Sequence, residues 1–143
     1  MPRRHKLNYR SGLEKEAAAF LKSRQKKVRY ELLKIEWLDL RYRTYTPDFE
    51  LDNGIFIETK GIFSSDDRRK HLEIKKQYPK LDIRFVFSNA NAKLYKGAKS
   101  RYCDWCDKNG FLWSHRLIPL EWLQEPGKAC NLKLIANKRK YKL

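Results

Sequence analysis

Asp48 follows Pro47, and ten residues later stand Glu58, Thr59 and Lys60. A Pro-Asp with a Glu-x-Lys at this distance assembles the groups that metal-assisted phosphodiester hydrolysis uses. Two facing carboxylates cannot both stay ionised cheaply unless a cation sits between them. Hard oxygen donors around an open position suit Mg²⁺ or Mn²⁺. Such a cation makes hydroxide from bound water and offsets charge on a phosphodiester. The lysine can hold the attacking water or stabilise the transition state. The same residues admit a plainer reading, a turn-opening Pro-Asp and a solvated edge strand with an i, i+2 ion pair.

Whether the groups meet depends on a hairpin. Residues i and i+2 of a strand share a face, so Glu58 and Lys60 project together. With a two-residue loop at Asn53-Gly54, Asp48 falls opposite Thr59 and points to the wrong face. With a three-residue loop at 52–54, Leu51 pairs with Ile55 and Asp48 falls opposite Glu58. Gly54 suits the left-handed residue that closes the longer loop. The second register is expected.

Around the hairpin the pattern alternates between helices and strands. Leu13, Ala17, Phe20 and Leu21 give one apolar face to a helix over 11–26. Val28, Tyr30 and Leu32 alternate against Arg29 and Glu31, which predicts a strand over 28–37, and 38–46 reads as extended. Ser65 or Asp66 can cap a helix that Pro79 stops. Residues 82–87 form a further strand, 100–109 a short helix closed by Gly110, and 119–124 another helix. The expected class is α/β, a mixed sheet flanked by helices.

The chain has 143 residues, one domain's worth, with 33 Lys plus Arg against 17 Asp plus Glu and a net charge of +16. With 41% hydrophobic and 13% aromatic residues it can build a core. A folded domain this basic implies a polyanionic partner, nucleic acid before membrane. Ten of the sixteen excess charges lie in two acid-free ends: Arg3, Arg4, Lys6 and Arg10, then Lys128, Lys133, Lys138, Arg139, Lys140 and Lys142. They read as arms along phosphate backbones or as solvated tails. No apolar run spans a membrane, and no secretory signal opens the chain. Three cysteines make no disulfide scaffold, which fits a reducing, cytoplasmic setting.

Other groups carry weaker signals. Cys103-x-x-Cys106, with His115 and Cys130, matches no familiar zinc spacing and reads as core thiols. Arg68, Arg69 and Lys70 surround His71 on a basic helix that can touch phosphates. Tyr42, Tyr45, Tyr95 and Tyr102 offer rings for unpaired bases, although most aromatics of a small domain are core. Glu14 stands in Ser11-Gly-Leu-Glu14, where capping the helix and reaching a metal are both open.

Longer segments resemble one family. Arg10-Ser-Gly-Leu-Glu14, Thr44-Tyr-Thr-Pro-Asp-Phe49, Asn53-Gly-Ile-Phe-Ile-Glu-Thr-Lys-Gly61 and Ser65-Asp-Asp-Arg-Arg-Lys-His-Leu72 run in the order seen in the endonuclease I family of podophages, which resolve Holliday junctions. Leu81-Asp-Ile-Arg84, Lys93-Leu-Tyr-Lys-Gly97 and Leu117-Ile-Pro-x-Glu-Trp122 extend the likeness to about residue 127. The resemblance implies a restriction-endonuclease-like core, two divalent metals (Mg²⁺, or Mn²⁺) per site, and paired nicks in four-way DNA leaving 5′-phosphates. It implies catalytic roles for Glu14, Asp48, Glu58 and Lys60, with the Thr59 carbonyl as a further metal ligand. It also implies an intertwined homodimer. Residues 1–37 would cross to the partner over a bridge at 38–46, joining a catalytic core at 47–127 that ends in a basic tail at 128–143. Each site would then unite Glu14 of one chain with Asp48, Glu58 and Lys60 of the other. Arg3, Arg4, Lys6, Arg10, Arg68, Arg69, Lys70, Lys93, Lys96, Lys138, Arg139 and Lys140 are the expected DNA contacts. Neither a membrane nor a small-molecule substrate is expected, and a phage-encoded chain would act in the infected cell's cytoplasm. A nuclease of linear duplex and a non-catalytic DNA-binding protein are the alternatives.

Overall fold

A four-stranded sheet with a hydrophobic core on each face organises the chain; the computed structural model describes residues 8–38 and 41–127. Helix α1 (Gly12–Ser23) is followed by β1 (Ile35–Leu38), β2 (Tyr42–Tyr45), β3 (Phe49–Glu50) and β4 (Phe56–Lys60). Then come α2 (Ser65–Gln77), β5 (Ile83–Phe87), α3 (Tyr102–Asn109), β6 (Trp113–His115) and α4 (Leu120–Gln124). The main sheet has the order β3-β4-β5-β6; β3 is antiparallel to β4, and β4, β5 and β6 are mutually parallel. This is the mixed sheet flanked by helices that the alternating pattern predicts.

Strand alternation sorts the side chains into two cores. Phe56, Ile83, Phe85 and Phe87 pack on one face with Phe63 and Ile74 and with Cys103, Trp105 and Cys106 of α3. Ile57 and Val86, one residue out of phase, pack on the other with Ala17, Ala18 and Leu21 of α1 and Trp122 of α4. Buried Arg84 lies on this second side, its guanidinium over the Trp122 ring and paired with Asp82 and Glu125.

Several expected boundaries shift. The strand expected over 28–37 shrinks to β1, because Glu31 takes a left-handed backbone (φ 50°) that interrupts the extended run. Tyr30 keeps only an isolated bridge to Phe49. Helix α1 ends at Ser23, three residues early, before left-handed Gln25. Ser64, rather than Ser65 or Asp66, caps α2. The strand β6 was not expected; three residues are too few to show alternation, and it is parallel pairing with β5 that makes it a strand. Within 38–46, β2 runs antiparallel to β1, with Ile35 opposite Tyr45 and Leu38 opposite Tyr42. No helix among the described residues is long and apolar enough to cross a membrane.

Candidate active site

The hairpin adopts the longer register. Phe49 pairs with Ile57 and Glu50 with Phe56, and the Leu51 N–H donates to the Ile55 carbonyl, so Asp48 stands opposite Glu58. Gly54 closes the loop at φ 85°, the conformation that favours glycine there. Asn53 donates from its side chain to the Trp122 carbonyl, 2.7 Å away, pinning the loop to α4.

Each carboxylate is held by named donors. Asp48 Oδ2 accepts from the Thr59 N–H (2.8 Å) and the Thr59 hydroxyl (2.7 Å). Glu58 Oε1 accepts from the Tyr45 hydroxyl (2.8 Å) and from the Asp48 N–H (3.3 Å). The Lys60 ammonium lies 3.6 Å from Glu58 Oε2 and 3.3 Å from Asp67 Oδ1. Glu14, Asp48 and Glu58 are all buried.

Glu14 enters from the other face of the sheet. Its N–H donates to Ser11 Oγ at 3.1 Å, half of a capping box. Its carboxylate does not return to Ser11; it accepts from the Tyr30 hydroxyl and, at 3.4 Å, from the Arg10 N–H. One carboxylate oxygen each of Glu14, Glu31 and Asp48 lie within 4.8 Å of one another. Glu31 was not expected here. A strand over 28–37 would set it one residue out of phase with Tyr30, and the left-handed turn that places it has no sequence signal.

The electrostatics are those of crowded acids. Burial, with the charge of Asp48, pushes Glu58 up to about 8. Burial and the same neighbour push Glu14 up, and burial pushes Asp48 up despite its two Thr59 bonds. Burial works against the Lys60 ammonium, but Glu58 and Asp67 outweigh it and keep the lysine charged. Acids pressed together at a cost in ionisation, with hard oxygen donors, fit a divalent cation. Asp48, Glu14 and Glu31 offer the closest donor set, with Glu58 beside it.

The expected DNA contacts scatter. Lys70 of α2 is half-buried, its ammonium over the Tyr45 ring, 5.2 Å from the centroid. Arg68 spends its guanidinium on the Phe63 carbonyl (2.7 Å) and the Leu94 carbonyl (3.4 Å). Arg10 is exposed and paired with Glu31, and Arg69, Lys93 and Lys96 are exposed. Arg3, Arg4, Lys6, Lys138, Arg139, Lys140 and Cys130 lie outside the described residues. Among the aromatic candidates Tyr42 and Tyr95 are exposed, whereas Tyr45 and Tyr102 are core and cannot stack on a base. Cys103 and Cys106 are buried thiols, and burial pushes Cys106 up to about 12, so it is no nucleophile.

Comparison with known proteins points to nucleases. A family model described as phage endonuclease I matches residues 2–142. An endonuclease I of Escherichia phage T7 is 50% identical over 121 residues, covering 84% of this chain and 81% of its own length. An endodeoxyribonuclease 1 of Enterobacteria phage T3 is likewise 50% identical over 121 residues, covering 84% of this chain and 80% of its own.

Proposed function

The chain belongs to the phage endonuclease I family, and from that premise we propose that it is a metal-dependent endonuclease that nicks four-way and branched DNA in pairs. One observation carries the reading: oxygens of Glu14, Glu31 and Asp48 lie within 4.8 Å of one another, while Glu58 accepts from the Asp48 N–H and has Lys60 3.6 Å away. Three acids whose ionisation the fold itself opposes, beside a charged lysine, support a functional site.

Asp48, Glu58, Glu14 and the Thr59 carbonyl are the residues that would hold the metal, with Glu31 within reach of the same point. Bound Mg²⁺, or Mn²⁺, two per site, would supply an ionised water at neutral pH and counter-charge for the phosphate. The chain's own groups do the rest. Thr59 fixes the Asp48 carboxylate through two donors, and Tyr45 fixes Glu58 through one. Lys60 sets a positive charge where the attacking water or a phosphoryl oxygen would lie. Hydrolysis adds water across the P–O3′ bond. The water oxygen bonds phosphorus, a proton ends on the departing 3′ oxygen, and a 5′-phosphate and a 3′-hydroxyl remain.

The reading includes a homodimer. Within one chain a Glu14 carboxylate oxygen lies within 4.8 Å of one of Asp48. Exchange of residues 1–37 onto a partner core at 47–127, over the bridge at 38–46, would set the same acids together between chains, the geometry of an exchanged element. Two sites on a two-fold axis can then cut both symmetric strands of one junction.

Asp48→Ala and Lys60→Ala test the chemistry. Each should abolish nicking in Mg²⁺ while junction binding, measured by gel shift, survives. Asp48→Ala removes a negative charge facing phosphate and should bind at least as tightly as the native chain. Unchanged nicking in either variant contradicts the proposal.

A further inference from the structure

We propose that Asp67 is a positioning residue of the active site, holding the Lys60 ammonium in place while it caps helix α2. The inference rests on the nuclease reading above and concerns how its lysine is aimed.

Lys60 ends β4, and nothing in the strand itself fixes its four-carbon side chain. A lysine ammonium with only Glu58 for a partner would be free to pivot about that single contact. The structure supplies a second anchor, because Asp67 Oδ1 lies 3.3 Å from Lys60 Nζ, nearer than Glu58 Oε2 at 3.6 Å. The Asp67 carboxylate is itself immobilised. Its Oδ2 accepts from the Ser64 N–H at 3.2 Å, and the Asp67 N–H donates to Ser64 Oγ at 3.1 Å, a complete capping box. One oxygen therefore serves the helix and the other serves the lysine.

The loop that carries this cap is also tied down. Arg68 donates to the Phe63 carbonyl, and the Lys60 carbonyl accepts from the Ser88 N–H at 3.0 Å. The distance between the end of β4 and the first turn of α2 is thus set by several bonds. Asp67 is half-buried and sits at a helix N-terminus, where a negative charge is favoured. Burial alone would raise its carboxyl, but Lys60 and the Ser64 bonds outweigh that and hold it below the usual range, so it faces the lysine ionised. A small misplacement of a catalytic group costs a large factor in rate.

The test separates aiming from capping. Asp67→Asn keeps an oxygen for the Ser64 N–H and loses the charge that faces Lys60. Ser64→Ala loses the hydroxyl of the cap and leaves the Asp67–Lys60 pair. Both are measured for kcat, KM and junction affinity on a four-way junction in Mg²⁺, with melting temperature alongside. Asp67→Asn should lose about 10- to 100-fold in kcat with KM and affinity within about twofold of the native values. Ser64→Ala should melt lower with kcat within about twofold. If Asp67→Asn melts too early to assay, Asp67→Ser, assayed below its melting temperature, should show the same loss of kcat. An Asp67 variant with native kcat overturns the inference, as does a Ser64→Ala loss of kcat equal to that of Asp67→Asn. An inert native protein removes the nuclease reading as well; an active native protein with an indifferent Asp67 removes the inference alone.

Discussion

Glu58 shows how the fold opposes its own acids. Its carboxyl, buried beside Asp48, titrates near 8 instead of the ordinary 4.5. Between those values the folded chain holds a proton that the unfolded chain has released. Stability of the metal-free protein therefore falls as pH rises through that window, by at most about 1.4 kcal/mol per pH unit for this group. Glu58→Gln should flatten the slope. In chelator, melting temperatures of the native chain and of Glu58→Gln should diverge from about pH 5 to pH 8, the variant becoming the more stable. Parallel curves would contradict the assignment. At this scale Asp48, Glu58 and Lys60 were legible, because period-two alternation and a glycine loop determine which faces meet. Glu14 was ambiguous, since Ser11-Gly-Leu-Glu14 fits a cap and a ligand alike. In the structure the Glu14 N–H donates to Ser11 and its carboxylate accepts from Tyr30, with one oxygen within 4.8 Å of oxygens of Glu31 and Asp48. Glu31 was illegible because a left-handed non-glycine backbone places it.

Among the elements, the β3–β4 hairpin matters most. A slip of one residue would turn Asp48 away from Glu58. Gly54 guards against that slip by closing a three-residue loop at φ 85°. Gly54→Ala should cost about 1–2 kcal/mol, read as a lower melting temperature, and should lower nicking more than junction binding. Native nicking and melting in that variant would show that the loop does not hold the register. The end of helix α2 was legible from Pro79, yet its Ser64 cap was not, because serines and aspartates crowd residues 64–67 and each is an acceptable cap. That misplacement also hid Asp67, whose contact with Lys60 depends on which serine begins the helix. The short β6 was lost for a different reason, since its identity lies in its partner strand and not in its three residues.

The whole molecule carries two statements that no single element does. Its net charge of +16 points to a polyanion, and ten of those charges lie in ends that the described residues barely include. Charge alone speaks of nucleic acid; the endonuclease family speaks of cutting it; the branched substrate is part of the proposal. The second statement concerns chain exchange. Co-expressing Glu14→Ala with Lys60→Ala chains should restore nicking if sites are shared, because one of the two sites then receives Glu14 from one chain and Asp48, Glu58 and Lys60 from the other. If each chain completes its own site, both sites stay defective and nothing is recovered. The most direct test of the central claim is simpler. In Mg²⁺, a four-way junction and the linear duplexes of the same sequences are offered to the native protein, and strand nicking is followed. The account predicts paired nicks at the junction, intact duplexes, and loss of cleavage in chelator. Equal cleavage of junction and duplexes, or cleavage of neither, would contradict it.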